Sequence, residues 1–298
     1  MGMTMIVVAR GVKSGLEQAV KYLMPTLFIL LLVLVGYAMN TGYFAEGLRF
    51  LFAPDFSKIN GWVVLSAMGQ AFFSLSLGMG AIMVYGSYLS HTASIGGAAV
   101  RIAIADTVVA LLAGMAIFPI VFAHQLDPAQ SVGLVFNTLP IAFGKMWGGE
   151  FFGALFFVLL CFAGWTSAIS LMEPAVAYLV ENRGMNRVKA TVFVGVAIWV
   201  LGLGTIFSFN LWSEYKLFGN TFFDNVDFLT SNVMLPLGGL LIAIFAAWIM
   251  SREATLEELN LGDGAVYRVW RFLVRYITPV AVILVFLHVS RILETLVG

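Results

Sequence analysis

The sequence predicts an all-α polytopic membrane protein, and three observations carry that prediction. Of its 298 residues, 61% are hydrophobic and only 11% charged. The mean hydropathy is +0.96, far from the roughly half-apolar, quarter-charged balance of soluble domains. The apolar residues gather into runs of about 20 residues or more, the length a helix needs to cross a bilayer. The 16 basic and 16 acidic residues cancel, so no overall charge points to a nucleic acid or to a cationic partner. Charge here carries information only through its position.

Seven spans are expected, at residues 22–40, 61–89, 94–122, 151–180, 188–209, 228–250 and 269–296. The first and the fifth are plain apolar runs. The second has 29 residues, which as one helix would measure about 43 Å against a hydrocarbon core of about 30 Å. The third carries Asp106, and the fourth the phrase FAGWTSAISLMEP. Between them, residues 123–150 hold Pro128, Gly133, Pro140 and Gly148 around moderately apolar pieces. That stretch reads as an extracellular structured loop with short helices lying over the membrane. No linker or repeat divides residues 1–298, so a single transmembrane domain is expected.

Lys and Arg set the orientation. With the N-terminus cytoplasmic, Arg10, Lys13, Lys21, Arg101, Arg183, Arg187, Lys189, Arg252, Arg268, Arg271 and Arg275 lie inside, and only Arg49, Lys58, Lys145, Lys216 and Arg291 outside. The C-terminus is then outside. The opening MGMTMIVVARGVKSG lacks a signal peptide's order of basic region, apolar core and cleavage site, because Arg10 follows the apolar residues. It reads as the tail of a preceding helix. The single Cys161 excludes an intrachain disulfide and a Cys-based metal site. His91, His124 and His288 show no ligand spacing, which suits interfacial or structural roles. No nucleophile with a base is visible, and an enzyme is not expected.

Three stretches inside the spans bear chemistry. In SLSLGMG, Ser74 and Ser76 supply hydroxyls while Gly78 and Gly80 permit unusual backbone. A break there would let two half-helices share the crossing and expose carbonyls to a cavity; the alternative is a close-packed face of small residues. Asp106 is an intramembrane carboxylate, which costs at least about 2.5 kcal/mol at a helix centre and so marks an ion site or pathway. Its alternative is a pairing with Arg101. In the fourth span Ala163, Thr166, Ser167, Ser170 and Leu171 share one helical face. Their oxygens suit a hard cation, or bond back to carbonyls one turn earlier. Glu173, beside Pro174, is a second membrane-embedded acid, expected near the inner end of a ligand path.

Taken together, GQAFFSLSLGMGAIMVYGSY, FAGWTSAISLMEP, VGLVFNTLP and EGLRFLFAPDFSKI resemble, in order and over essentially the whole chain, the neurotransmitter:sodium symporter family of the LeuT fold. That fold is a standard example of broken helices meeting at a midplane site. The resemblance implies that the seven spans are family helices five to eleven. The second inverted repeat would be complete, and the first four helices absent from this chain would be partners in cis or trans.

By the same resemblance, the chain is part of a bacterial inner-membrane symporter that couples sodium to amino-acid transport by alternating access. Substrate contacts map to Phe73, Ser74, Ser76, Met79, Ser167 and Leu171, with Phe73 as a lid. Sodium maps to Ser74 and Asp106 at one site, and to Ala163, Thr166 and Ser167 at another. Because an acid stands where many relatives have an amide and a nearby chloride, chloride is not expected to be required. Gate positions map to Gln70 and Asp227 on the outer side, and to Tyr88 and Glu181 on the inner. Met79, a flexible thioether, points to a bulky hydrophobic or aromatic amino acid. An alternative of another class is a non-transporting half-transporter serving as a subunit or scaffold.

Overall fold

Long apolar stretches become long helices because in lipid every backbone N–H and C=O must find its partner within the segment or within protein. The computed structural model describes all residues except 91–92, 127, 129–132 and 291–298. His91, Arg291, part of the loop 123–150 and the end of the span 269–296 thus lie outside the described residues.

In chain order the helices are α1 (Gly2–Ala9), α2 (Ser14–Thr41), α3 (Phe44–Phe52), α4 (Gly61–Ser74), α5 (Ala81–Ser87), α6 (Ile95–Ala123), α7 (Leu139–Lys145), α8 (Gly149–Arg183), α9 (Arg187–Phe207), α10 (Phe222–Ile249), α11 (Arg252–Leu259) and α12 (Ala265–His288). Among the described residues, α2, α6, α8, α9, α10 and α12 are long and apolar enough to cross a membrane. The seventh expected span is the broken pair α4 and α5, with 14 and 7 residues.

The ends are set by local chemistry. Asn60, Asn186, Thr221 and Ser251 each accept a backbone N–H at the start of a helix, satisfying donors that have no partner inside it. Helix α8 extends beyond the expected 151–180, to 35 residues, with Glu150 in its first turn and Arg183 in its last. Both charges complement the helix dipole, which is why charged residues still belong to the helix. A short helix expected in the loop is α7, which has Pro140 in its first turn, where its missing N–H costs nothing.

The described residues group into two compact units interleaved along the chain. One comprises Gly2–Ser57 and Ile104–Ser170. Its core joins Leu31, Leu34 and Tyr37 of α2 to Ile120 of α6, Phe143 of α7 and Phe156 of α8. Tyr37 stacks on Phe152 at 3.9 Å between ring centroids and donates its hydroxyl proton to the carbonyl of Trp147. That pairing satisfies the polar end of an otherwise apolar contact.

The other unit comprises Lys58–Ala103 and Leu171–Gly298, with Met1. Here α12 packs along both α4 and α10. The outward faces of its spans are apolar: Phe193, Trp199 and Leu201 of α9 are more than half exposed, a surface suited to lipid tails.

Candidate functional site

The site begins with the break in SLSLGMG. Helix α4 ends at Ser74, and the chain then passes through Ser76 (φ 53°), Gly78 (φ 85°) and Gly80 (φ 78°) before α5 starts at Ala81. These left-handed conformations cannot continue a right-handed helix. The expected break is therefore present, and the alternative of one close-packed helix is not. At Gly78 a side chain is also excluded sterically, because a Cβ would fall against the Leu235 carbonyl and 2.8 Å from the Gly239 nitrogen. The turn is seated on the Leu235–Gly239 segment of α10, where Gly238 meets the Gly78 carbonyl. Sequence reasoning missed this seat; its signal was the phrase LPLGG, a proline and paired glycines inside an apolar span.

Beside the turn lies a cavity of about 570 Å³ lined by Phe73, Met79, Leu171, Asp227, Thr230 and Met234, among others. Four residues singled out in the sequence, Phe73, Met79, Leu171 and Asp227, thus meet around one space. It is open: Phe73 is 52% and Leu171 48% exposed. The α10 wall is formed where π-type turns run through Phe228–Met234, a widening of the helix found often at functional sites. Of the two acids in FDNVDF, Asp224 closes a capping box with Thr221. Asp227 lines the cavity and accepts a hydrogen bond from Ser231 at 3.1 Å.

Gln70 lines an adjoining cavity of about 230 Å³ that shares Phe73, Ser231 and Leu235 with the first and reaches His288. Ser76 faces a different, largely apolar cavity with Phe72, Ile82 and Ala246. Ser74 ends α4 and lines none of these three cavities.

The remaining predicted cation ligands lie in the unit that contains Ile104–Ser170. Asp106 sits in α6, and Ala163, Thr166 and Ser167 in α8. The Thr166 hydroxyl donates toward the carbonyls of Ala163 (2.9 Å) and Phe162 (3.1 Å), and Ser170 donates to the carbonyl of Thr166. The helix is continuous here, so carbonyls near Gly164 are not released by a break. The back-bonding nevertheless draws the Thr166 and Ala163 oxygens together. A hydroxyl that spends its proton on a carbonyl keeps its lone pairs for a cation.

At the other side of the break, the Tyr88 hydroxyl donates to Glu173 Oε1 at 2.9 Å, and Arg187 donates to Glu173 Oε2 at 2.6 Å. Glu173 is fully buried, so the pair neutralises an acid that the interior would otherwise penalise severely. Tyr88 thus bonds Glu173, while Glu181 is exposed. Arg187 was visible in the sequence only as an orienting charge. The signal for its role was the need of an embedded acid for a cation.

Comparison with known proteins gives this geometry a context. The family model of the sodium:neurotransmitter symporter family matches residues 1–295. The chain belongs to that family. It is 38% identical to the uncharacterized sodium-dependent transporter YhdH of Bacillus subtilis, over 99% of this chain and 66% of that protein. It is 35% identical to an uncharacterized sodium-dependent transporter of Haemophilus influenzae, over 95% of this chain and 62% of the relative. Among solved structures, MhsT in complex with L-phenylalanine superposes with a TM-score of 0.85 at 43% identity, covering 96% of this chain and 66% of MhsT.

The chain thus has the LeuT-type fold in part, spanning about two thirds of the length of these relatives. It is a multi-pass membrane protein of a transporter family, not an enzyme.

Proposed function

We propose that the chain forms family helices five to eleven of a sodium-coupled amino-acid symporter, with its N-terminus cytoplasmic. The observation that carries this reading is the convergence of Phe73, Met79, Leu171 and Asp227 on one open cavity beside the broken helix. By the family resemblance, the first broken helix of the fold would complete this site. Amino acid and sodium would bind together, and their joint binding energy would favour closing one gate and opening the other.

The substrate is a bulky hydrophobic or aromatic amino acid: the flexible Met79 can re-pack around a large side chain, and the solved relative MhsT holds L-phenylalanine. Sodium is the co-substrate, with Asp106 as a ligand of one ion and Ala163, Thr166 and Ser167 as ligands of another, and Ser74 is a further ligand by the family resemblance. The Asp106 carboxylate supplies the negative charge that would otherwise call for chloride. Phe73 closes over the substrate, with Gln70 above it and Asp227 at the outer gate. The Tyr88–Glu173–Arg187 cluster, with Glu181 nearby in sequence, holds the inner gate.

Uptake of labelled tryptophan and phenylalanine into proteoliposomes tests this reading, with the chain expressed together with a polypeptide carrying the four preceding family helices. Uptake should follow an inward sodium gradient, persist without chloride, and vanish in Asp106→Ala. Equal uptake in sodium and potassium would overturn sodium coupling. Sodium-dependent uptake that survives Asp106→Ala would remove that residue from the ion site. Assembly of the two polypeptides without any uptake would favour a non-transporting subunit.

A further inference from the structure

Away from the broken helix, α11 and the first turns of α12 line an open pocket of about 430 Å³ whose wall includes Arg252, Tyr267, Arg268, Arg271, Arg275 and Tyr276, and no carboxylate. Arg252 is ion-paired with Asp263. Arg268, Arg271 and Arg275 have no carboxylate partner among the described residues. Standing three and four residues apart, they share one face of α12. Like charges at that spacing repel, and an anion bound among them would relieve that repulsion.

Neutral groups hold two of the three in place. Arg271 donates to the Tyr267 hydroxyl at 2.6 Å, and that hydroxyl pairs with Thr255 at 2.7 Å. Tyr267 is only 1% exposed, which fixes the anchor. The Arg275 guanidinium lies 4.3 Å over the Trp248 ring and 5.8 Å from the Tyr276 ring. Its Nε is buried and has no hydrogen-bond partner, an unmet donor of the kind folded proteins rarely leave. Planar guanidinium groups set in this way match the paired oxygens of a phosphate.

The pocket's surroundings distinguish a lipid from a free anion. Trp248 and Tyr276 are residue types that settle at the level of lipid headgroups. The outward residues Phe272, Tyr276, Ile277 and Val280 are each at least half exposed and lead directly into the membrane-crossing part of α12. We propose that this pocket binds the phosphate of an anionic phospholipid, whose acyl chains run along the exposed face of α12.

The test is native mass spectrometry of the purified chain taken from nanodiscs of phosphatidylcholine mixed equally with phosphatidylglycerol. Phosphatidylglycerol should be retained selectively. Each of Arg268→Gln, Arg271→Gln and Arg275→Gln should weaken retention about fivefold, as expected for one basic residue near an anionic surface. Lys189→Gln, a basic residue outside the pocket, should not. Arg268→Gln is the decisive variant, because its side chain makes no hydrogen bond or ion pair within the described residues and its loss leaves the packing intact. Equal retention of both lipids, or no difference between wild type and Arg268→Gln, would overturn the proposal. Complete displacement by inorganic phosphate would assign the pocket to a free anion instead.

Discussion

The segment Gly61–Ser87 and helix α8 both carry helix-weakening residues near their centres, and only the first breaks. The segment Gly61–Ser87 has Ser74, Ser76, Gly78 and Gly80, and its backbone turns left-handed at three of those positions. Helix α8 has Gly164, Thr166, Ser167, Ser170 and Pro174, yet runs unbroken from Gly149 to Arg183. The difference lies in what receives the freed groups. Helix α8 keeps its backbone helical throughout, and the Thr166 and Ser170 hydroxyls only add bonds to its own carbonyls. In the other segment the turn at Gly78 is received by Leu235, Gly238 and Gly239. A break inside a membrane thus depends on a prepared acceptor as much as on the residues that break.

The largest effect should come from the charge cluster next to the break. Glu173→Ala would remove the fully buried carboxylate to which Tyr88 and Arg187 both donate, and breaking such a buried pair costs about 3–5 kcal/mol. It should appear as a large loss of thermal stability in detergent. A melting temperature unchanged by the substitution would mean that the cluster does not hold the segment.

A smaller effect, confined to the turn, is expected at Gly78. Gly78→Ala adds a methyl group against backbone atoms in a left-handed conformation, and should cost about 2–4 kcal/mol. Gly42 has a similar φ of 79°, but a Cβ there would meet nothing within 4 Å. Gly42→Ala should therefore cost only about 1–2 kcal/mol, for the conformation alone. Equal melting temperatures for the two variants would remove the acceptor from the explanation of the break.

Smallest of all should be the effect of Thr166→Ala on stability, within about 0.5 kcal/mol, because α8 does not depend on that hydroxyl. Sodium dependence of uptake should nonetheless weaken, separating the ligand role from the structural one. A large loss of stability in Thr166→Ala would mean that back-bonding is what keeps α8 whole.

Much of this was legible in the sequence. The length of the second span and the serine–glycine alternation announced the break, because each follows from local backbone physics. The cavity residues Phe73, Met79 and Asp227 were legible through family resemblance alone, whereas spacing had already set Leu171 on the hydroxyl-bearing face of its span. The seat at Gly238 and Gly239 was hidden, since glycines within an apolar span read equally well as helix contacts. The Glu173–Arg187 pair was hidden as well, because an ion pair across a helix connection leaves no periodic trace. The extra turns of α8 escaped because hydropathy discounts charged residues that the helix dipole accommodates at its ends.

The central claim is that the cavity beside the break holds a bulky amino acid. The most direct test is sodium-driven tryptophan uptake by the assembled transporter carrying Met79→Trp, a substitution that fills the cavity from its own wall. The account predicts that uptake is lost while the melting temperature stays near that of the wild type. Undiminished uptake in a stable Met79→Trp protein would place the substrate elsewhere and contradict the account.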